Sequence, residues 1–376
     1  MSVSADLEQI EPRISSLVAR HAGAGIVDVD DDSSATGLCG ALRPTMDAVA
    51  AQALTSSEGG KRLRALLTLA AHDAVAAGDA SPSPARDAVL DVACAIEVFQ
   101  TAALVHDDII DDSDLRRGKP SAHRALSAMA GDDAVGEGLG IMLGDLLATA
   151  CIGIVNAAAT SLPHSGRLLD VFLRMQREVE VGQILDLSIE TMALDDPAAL
   201  AAASLDVFRW KTASYTTVAP LELGFLAAGM APADAHRHAV AVGRPLGVAF
   251  QLADDLLDVA GSPGVTGKPV GGDIREGKRN VLLADALAAL GGPGRGTADG
   301  ERLKEIFTAV RRTDDDVEFA IATFRATGAI GRSEERIRDL WRESCRAMDT
   351  MELDRGAAAR LKSMCARFLP ADLVNE

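Results

Sequence analysis

Two aspartate-rich segments of this sequence, residues 107–111 and 254–258, share the spacing DDxxD and are embedded in apolar residues. Residues three and four apart share one face of a helix, so the first and last aspartates of each segment point the same way. Carboxylates on one face repel each other unless a cation lies among them. Two such faces that met across a cavity would hold a cluster of hard divalent cations. This pairing is the strongest constraint in the sequence.

The composition indicates a mainly α-helical fold. The chain of 376 residues is long enough for a large core. Apolar residues make up 48% of it, much of that alanine, whereas aromatic residues make up only 3%. Ala and Leu favour helices, and the β-branched and aromatic runs that are typical of strands are scarce.

Charge and cysteine content indicate the cellular compartment and argue against one class of partner. The net charge of −18 argues against a nucleic-acid partner, which would require a basic surface. The first ten residues carry acids and no apolar run, so we expect no secretory signal. The cysteines are odd in number and lack paired metal-ligand spacing, which predicts reduced thiols in a cytoplasmic protein. They are Cys39, Cys94, Cys151, Cys345 and Cys365.

One apolar stretch, residues 141–162, approaches the length of a membrane span. It contains Asp145, Asn156 and several small residues, which favour a buried core or dimer-interface helix over an integral membrane segment. We therefore expect no membrane-spanning segment in this protein.

Breakers divide the chain into helical segments. Residues 1–40 are predicted to form a partly flexible N-terminal appendage, with a helix near residues 7–20 and a polar run at 28–40. Residues 41–376 are predicted to form a single helical domain, in which a second linker at 291–300 precedes a charged helical region. Turns are expected at residues 56–60, 78–84, 118–120, 163–166, 195–197, 229–232 and 261–272.

Basic residues gather beside both acidic segments, although acids outnumber bases by 55 to 37. Arg116 and Arg117 follow the first segment, and Lys268, Lys278 and Arg279 follow the second in glycine-rich loops. Metal ions neutralise diphosphate oxygens, guanidinium groups bind them in pairs, and glycine lets the backbone approach an anion. One DDxxD string alone is often a solvated helix surface, and an arginine pair is often a solvated turn. Two such groups together predict metal-assisted diphosphate binding.

With their flanking residues, these segments resemble the trans-isoprenyl diphosphate synthases, the family that includes farnesyl and geranylgeranyl diphosphate synthases. Within that family, the sequence most resembles the bacterial geranylgeranyl diphosphate synthases. The resemblance fades in residues 1–40 and in the C-terminal region, and Ala65 stands where the family usually has proline. The matching segments follow the family's order: GKRLR at 60–64, LVHDDIID at 104–111, LRRGKP at 115–120, KT at 211–212, FQLADDLLD at 250–258 and GKP at 267–269.

The resemblance implies an isoprenoid-synthase-type helical bundle around a central cavity, working as a homodimer. Its catalytic domain would add isopentenyl diphosphate head to tail to an allylic diphosphate with Mg²⁺. The magnesium ligands would be Asp107, Asp108, Asp111 and Asp254, with Asp255 and Asp258 in support. The allylic diphosphate would contact Arg116, Lys211, Gln251 and Lys268, with Thr212 at the reaction centre. Isopentenyl diphosphate would be held by Lys61, Arg64, Gln100 and Arg117.

Product length is expected to depend on the helix that carries the first acidic segment. Ala102 and Ala103 are too small to stop a growing chain, whereas a ring there would be associated with the farnesyl product. Phe99 lies about one turn deeper, roughly 5 Å along the axis and close to one isoprene unit. This spacing predicts geranylgeranyl diphosphate. If Phe99 is instead an ordinary core residue that faces elsewhere, a longer polyprenyl product would follow.

Other functions share parts of this pattern. A class I terpene cyclase also ionises diphosphates with metal, but such enzymes lack a second intact DDxxD segment and an isopentenyl site. A non-catalytic subunit of a heteromeric synthase typically loses one aspartate segment, and both are complete here. An acidic metal-buffering protein would not need the ordered basic residues. A farnesyl diphosphate synthase remains an alternative within the same class.

Overall fold

The computed structural model describes residues 3–23, 40–76, 84–261, 270–291 and 297–374. Across these ranges the structure is helical apart from one short hairpin, which confirms the all-α fold. The chain divides into two compact units, which are described separately. Unit 1 comprises residues 1–173 and 220–232, and unit 2 comprises residues 174–219 and 233–376.

Unit 1 is a set of helices around one long central helix, with a two-stranded hairpin inserted after it. In the hairpin, β1 (Leu115–Arg116) pairs antiparallel with β2 (Lys119–Pro120). The helices are α1 (Val3–His21), α2 (Arg43–Ser57), α3 (Leu63–Val75), α4 (Pro84–Ile110), α5 (Ala122–Ala130), α6 (Asp133–Ala159), the first part of α7 (Ser165–Ile189) and most of α9 (Ala219–Ala227).

Helix α4 is the centre of unit 1 because its middle turns, Glu97 apart, are apolar on every side. Every residue from 92 to 99 is at most 3% exposed, and the helix packs against α1, α3 and α6. A helix that is apolar all round is stable only when it is buried. The helix predicted near residues 7–20 is α1, which packs on α4 and buries Ile10, Ile14 and Leu17. Residues 24–39 lie outside the described part of the chain.

Among the described residues, two helices, rather than the one expected, are long and apolar enough to cross a membrane. Besides α6, the test is met by α4, whose apolar stretch is interrupted in the sequence by Asp91 and Glu97. The most apolar part of α4 is 78% buried, whereas that of α6 is 44% buried. Core helices of soluble proteins meet the same criteria, so these two helices are weak evidence for a membrane span.

Unit 2 is built around a short apolar helix whose first seven residues are all buried, α12 (Val281–Leu290). It packs against α8 (Pro197–Val207) and α15 (Ala329–Asp349). The remaining elements are the second part of α7, a π-helical segment π1 (Phe208–Val218), α10 (Pro232–Ala260), α11 (Gly272–Glu276), α13 (Ala298–Thr308), α14 (Asp314–Ala326), α16 (Arg355–Ala366) and α17 (Ala371–Val374).

The π-helical segment was not predicted, and two features account for it. Thr217 Oγ1 donates to the Ala213 carbonyl at 3.0 Å and to the Gly243 carbonyl of α10 at 2.7 Å. Hydroxyl groups that bond the preceding turn compete with regular helical hydrogen bonding. A Cβ at Gly247 would lie 2.5 Å from Ala213 Cα, so glycine is what lets α10 approach π1. This contact fixes Thr212 beside Gln251.

Candidate active site

In unit 1, the first acidic segment lies at the C-terminal end of α4 and its three aspartates have different surroundings. Asp107 and Asp111 are half-buried and share one face of the helix. Asp108 is only 2% exposed, and its Oδ1 accepts a hydrogen bond from Arg116 Nε at 2.9 Å. The hairpin therefore neutralises Asp108 internally, which leaves Asp107 and Asp111 as the pair that shares a face.

A cavity of about 500 Å³ lies beside this acidic segment. Arg117 lines it, and its Nη1 donates to the carbonyls of Glu58 at 2.5 Å and Gly59 at 3.0 Å. Gly60 has a φ of +104°, and a Cβ there would lie 3.2 Å from the Arg117 guanidinium. The other lining residues are Gln52, Thr55, Ser56, Glu58, Gly59, Thr101, Leu104, Val105, Asp108, Arg116, Lys119, Pro120 and Ala122.

The residues predicted to hold isopentenyl diphosphate are only partly brought together. Arg117 lies in the cavity wall, and exposed Lys61 follows Gly60 of that wall. Arg64 is buried in the first turn of α3, and Gln100 is half-buried on α4. Lys61, Arg64 and Gln100 are not among the cavity-lining residues that the structure describes.

In unit 2, three predicted residues form one hydrogen-bonded chain. Thr212 Oγ1 donates to Gln251 Oε1 at 2.8 Å, and Gln251 Nε2 donates to Asp255 Oδ1 at 3.0 Å. The other oxygen of Asp255, Oδ2, is buried and has no hydrogen-bond partner among the described residues. A buried carboxylate oxygen in this state is costly unless a cation or water reaches it.

The other two aspartates of the second segment differ in the same way as those of the first. Asp254 is exposed and lines a cavity within unit 2, whereas Asp258 accepts hydrogen bonds from the backbone N–H groups of Gly272 at 2.9 Å and Asp273 at 3.1 Å. Asp258 therefore anchors the loop that carries Asp273. This position fits the predicted supporting role rather than direct metal binding.

Sequence reasoning missed two carboxylates in unit 2, Asp186 and Asp273. Both line a cavity of about 120 Å³ together with Lys211, Asp254 and Asp255. Lys211 Nζ donates to Asp186 Oδ2 at 2.5 Å. A signal for Asp273 was its place between Gly272 and the basic pair at 278–279, whereas Asp186 lies on α7 without any local motif.

Burial and mutual repulsion shift the proton affinity of these acids. Burial raises the pKa of Asp255 well above its usual range, and the nearby Asp273 carboxylate raises it further. Burial likewise raises the pKa of Asp258, although two backbone N–H groups oppose the shift. Burial raises the pKa of Asp273 to about 7, with Lys278 opposing and Asp258 adding repulsion. These shifts disfavour the ionised carboxylates, and a bound cation would oppose them.

The donor set suits a hard divalent cation. Oxygen ligands are those that Mg²⁺ prefers, and Mg²⁺ usually keeps several waters and binds through one or two carboxylates plus substrate phosphates. Within the described ranges, no three acidic, histidine or cysteine side chains already form a metal-holding group. One or two carboxylates per ion is therefore the arrangement that these residues fit, with Asp255 Oδ2 as the buried oxygen still lacking a partner.

The remaining predicted residues are the chain-length set and Lys268. Phe99, Ala103 and Asp107 are spaced by four residues along α4 and share a face. Phe99 is 3% exposed, and its ring meets that of Phe172 edge to face with centroids 6.4 Å apart. Ala102, which directly precedes Ala103, is buried. Lys268 lies outside the described residues.

Comparison with known proteins decides the family. The model of the polyprenyl synthetase family matches residues 47–324, which is most of the chain. The chain belongs to the polyprenyl synthetase family. Like other members, it has an isoprenyl diphosphate synthase's helical fold and belongs among enzymes of isoprenoid biosynthesis that transfer prenyl groups.

Among curated members of the polyprenyl synthetase family, geranylfarnesyl diphosphate synthase of Aeropyrum pernix is 32% identical over 286 residues, which cover 74% of this chain and 80% of that protein. Geranylgeranyl diphosphate synthase of Sulfolobus acidocaldarius is 33% identical over 61% of this chain. The match spans 64% of the Sulfolobus protein, slightly less than two thirds of its length. Octaprenyl diphosphate synthase of Escherichia coli is also 33% identical, over 61% of this chain and 63% of its own.

Solved structures agree with this assignment. A geranylgeranyl pyrophosphate synthase from Corynebacterium glutamicum, complexed with isoprenyl diphosphate and magnesium, superposes with a TM-score of 0.81 at 30% identity. The match covers 98% of this chain and 99% of that one. A polyprenyl synthase from Caulobacter crescentus, complexed with calcium and isoprenyl diphosphate, gives 0.73 at 26% identity over 99% and 95% of the two chains. Members of the polyprenyl synthetase family thus bind divalent metal with isoprenyl diphosphate.

The raised pKa values predict how stability changes with pH when magnesium is absent. Because the pKa of Asp255 is higher in the folded than in the unfolded state, folding is favoured at low pH and loses stability as pH rises. The neutral amide in Asp255→Asn removes this contribution. As the pH rises above about 4, the usual pKa of an unfolded aspartate, the unfolding free energy of the variant should therefore gain on that of wild type, by about 1.4 kcal/mol per unit of pKa shift.

Urea denaturation in a chelator at several pH values measures this difference. Asp299→Asn, which changes an exposed aspartate of α13, is the matched control and should follow the wild-type pH dependence. Parallel curves for wild type and Asp255→Asn would show that Asp255 is not held at such a cost.

Proposed function

We propose that this protein is a Mg²⁺-dependent prenyltransferase that adds isopentenyl diphosphate head to tail to an allylic diphosphate. The observation that carries the proposal is that both acidic segments are complete and each adjoins a cavity lined by basic residues. A protein that only buffered metal would not need these basic residues. The magnesium and isoprenyl diphosphate of the Corynebacterium glutamicum complex support the choice of cofactor and substrate class.

The proposed magnesium ligands are Asp107 and Asp111 on α4 and Asp254 on α10. Asp108 was predicted to be a magnesium ligand, but we assign it the role of orienting Arg116, because its carboxylate accepts a hydrogen bond from that guanidinium. When bound, magnesium would neutralise the negative charge that develops on the diphosphate as it leaves the allylic carbon. By resemblance, Arg116 of unit 1 and Lys211 and Lys268 of unit 2 are each proposed to bind oxygens of the allylic diphosphate.

The remaining polar residues orient the reacting groups. Gln251 is fixed by its bonds to Thr212 and Asp255, so its amide and the Thr212 hydroxyl are preorganised, and by resemblance they would lie at the allylic diphosphate and the reaction centre. As the allylic C–O bond breaks, the double bond of isopentenyl diphosphate supplies electrons for the new C–C bond, and a proton is then lost to the released diphosphate. Arg117, with Lys61, Arg64 and Gln100, would hold the isopentenyl diphosphate group in place. Leu104 and Val105 give the unit 1 cavity an apolar wall, which would keep water from the allylic carbocation that forms when the C–O bond breaks.

We propose geranylgeranyl diphosphate as the main product. Phe99 shares the face of Asp107 two turns before it, while Ala103 between them leaves that face open. The ring of Phe172 backs that of Phe99, which gives it the support that a stop requires. The named relatives are synthases of products of several lengths, so the proposed product length depends only on the residues of this face of α4.

A homodimer in the cytoplasm is the proposed state. Helix α6 presents an exposed apolar face that includes Ile141 and Met142, which a second copy of the chain would cover. The cysteines in the described part of the chain, Cys94, Cys151, Cys345 and Cys365, are all free thiols, as a reducing compartment favours.

Incubation of the purified protein with Mg²⁺, isopentenyl diphosphate and each allylic diphosphate tests the function directly. Asp107→Ala and Asp254→Ala should each cut turnover roughly a hundredfold or more, because a metal clamp supplies several kcal/mol. Asp114→Ala, which changes an aspartate exposed beside the first segment, is the control and should stay near wild type. A cyclic hydrocarbon formed without isopentenyl diphosphate would indicate a terpene cyclase, and normal turnover in either variant would refute the metal assignment.

Product length provides a separate test. Phe99→Ala should shift the products of the same incubation to chains longer than twenty carbons, because the next isoprene unit then finds space instead of a ring. Removing a buried phenylalanine costs about 3–5 kcal/mol of stability, so Phe99→Leu is the milder companion. Phe324→Ala, a fully buried ring on α14 of unit 2, controls for destabilisation and should leave the product unchanged. Chromatography of the dephosphorylated products measures the lengths, and unchanged lengths in both Phe99 variants would exclude this residue as the stop.

A further inference from the structure

We propose that Glu11 of the N-terminal helix is a positioning residue for isopentenyl diphosphate and that it acts through Arg62. The inference rests on the proposed function, in which Lys61, Arg64 and Arg117 hold that substrate. It assigns a role to α1, a part of the chain in which the sequence shows no motif.

Arg62 determines the shape of the basic loop that joins α2 to α3. Its backbone lies in the left-handed region, at φ 51° and ψ 33°, which residues other than glycine seldom adopt. Its side chain is only 1% exposed, and Nη2 donates to the Ser57 carbonyl at the end of α2 at 2.5 Å. The side chain thus folds back under the loop and ties the loop's two ends together.

Two carboxylates compensate the buried guanidinium. Glu11 accepts from Arg62 Nε at 2.7 Å and from Nη2 at 2.8 Å, a paired geometry that is among the strongest available to arginine. Glu97 Oε2 lies 3.7 Å from Nη1, and its other oxygen accepts from the backbone N–H of Ala65 at 3.0 Å. Glu97 therefore divides its charge between Arg62 and the start of α3, which leaves Glu11 as the dedicated partner.

The loop that Arg62 shapes carries the substrate-binding groups. Lys61 directly precedes Arg62, and Arg64 follows in the first turn of α3. The carbonyls of Glu58 and Gly59 position the Arg117 guanidinium in the cavity wall. If Glu11 were absent, Arg62 would lose the charge that holds it and these groups would shift together, which weakens binding even without any direct contact.

Helix α1 does not depend on Glu11 for its place in unit 1. Arg13 pairs with Asp91 of α4, with Nη2 and Oδ2 2.7 Å apart, and Asp6 pairs with Arg86 at 3.0 Å. The apolar side of the helix, which includes Ile14 and Leu17, is buried as well. Changing Glu11 should therefore affect the loop while the helix stays docked.

Isothermal titration of isopentenyl diphosphate measures the effect without requiring turnover. Glu11→Gln keeps the shape and removes the charge, and it should weaken binding about fivefold to tenfold. In turnover assays the KM for isopentenyl diphosphate should rise by the same factor, with kcat and the KM for the allylic diphosphate within about twofold of wild type. Glu11→Asp should recover part of the affinity.

Two variants of the same helix serve as controls. Glu8→Gln removes an exposed charge, and Arg13→Ala removes an ion pair that docks α1; both should bind isopentenyl diphosphate as wild type does. Arg62→Gln should weaken binding as Glu11→Gln does, and the double variant should be no worse than either, because the two residues act as one unit. If Arg62→Gln does not fold, comparison of Glu11→Gln with Arg13→Ala still decides.

The possible results separate this inference from the function on which it rests. Unchanged affinity in Glu11→Gln would overturn the inference alone, as would an equal loss in Arg13→Ala, which would indicate a general docking effect. Failure of the wild-type protein to bind isopentenyl diphosphate would instead overturn the proposed function, and the inference with it.

Discussion

Negative charge held out of water is the constraint on which this structure depends. A buried carboxylate is tolerated only when a cation or several hydrogen-bond donors compensate it. Asp108 is compensated by Arg116, and Glu97 by Arg62 and the start of α3. Asp255 is compensated on one oxygen only, by Gln251. Among these three carboxylates, Asp255 alone keeps an oxygen without a hydrogen-bond partner among the described residues, and a cation bound at the neighbouring Asp254 would offset its charge.

The sequence predicted the fold class and the position of both acidic segments well. Alanine-rich, strand-poor composition and regular breakers were sufficient for the helices, and DDxxD spacing was sufficient for the carboxylates that share a face. The segments could be found because every residue that defines them lies within one turn of its neighbours. Helical periodicity relates residues that are close in the sequence, so it can identify such segments.

Features that depend on distant residues could not be predicted from periodicity. Asp108 differs in role from Asp107 only because the hairpin brings Arg116 back to the end of α4, where it bonds Asp108. The π-helical segment requires the glycines of α10 opposite Thr217. Asp186 and Glu11 meet the basic residues only after α7 and α1 pack, and neither residue is part of a local motif. Tertiary packing decides which of several similar carboxylates is neutralised within the chain and which is left for a cation.

The two units use the same arrangement in different ways. In each, a long helix ends with one carboxylate bound by other parts of the chain, beside the half-buried Asp107 and Asp111 in unit 1 and beside the exposed Asp254 in unit 2. Internal bonding fixes the shape of the site, through Asp108 with Arg116 in unit 1 and Asp258 with the N–H groups of Gly272 and Asp273 in unit 2. The proposed metal ligands Asp107, Asp111 and Asp254 thus lie next to carboxylates that the chain itself holds in place. This division accounts for three aspartates in each segment although one or two suffice to bind a magnesium ion.

Thermal unfolding with Mg²⁺ and inorganic diphosphate tests this account most directly, because it measures binding of the charged group alone. A ligand present at about a hundred times its dissociation constant adds roughly 2.7 kcal/mol, which for a chain of this size corresponds to a rise in Tm of about 3 °C. We expect that rise when both are present, little change with either alone, and loss of the effect in Asp254→Ala. An equal rise in Asp254→Ala, or no rise in the wild-type protein, would contradict the claim that the acidic segments are built to hold a cation and diphosphate together.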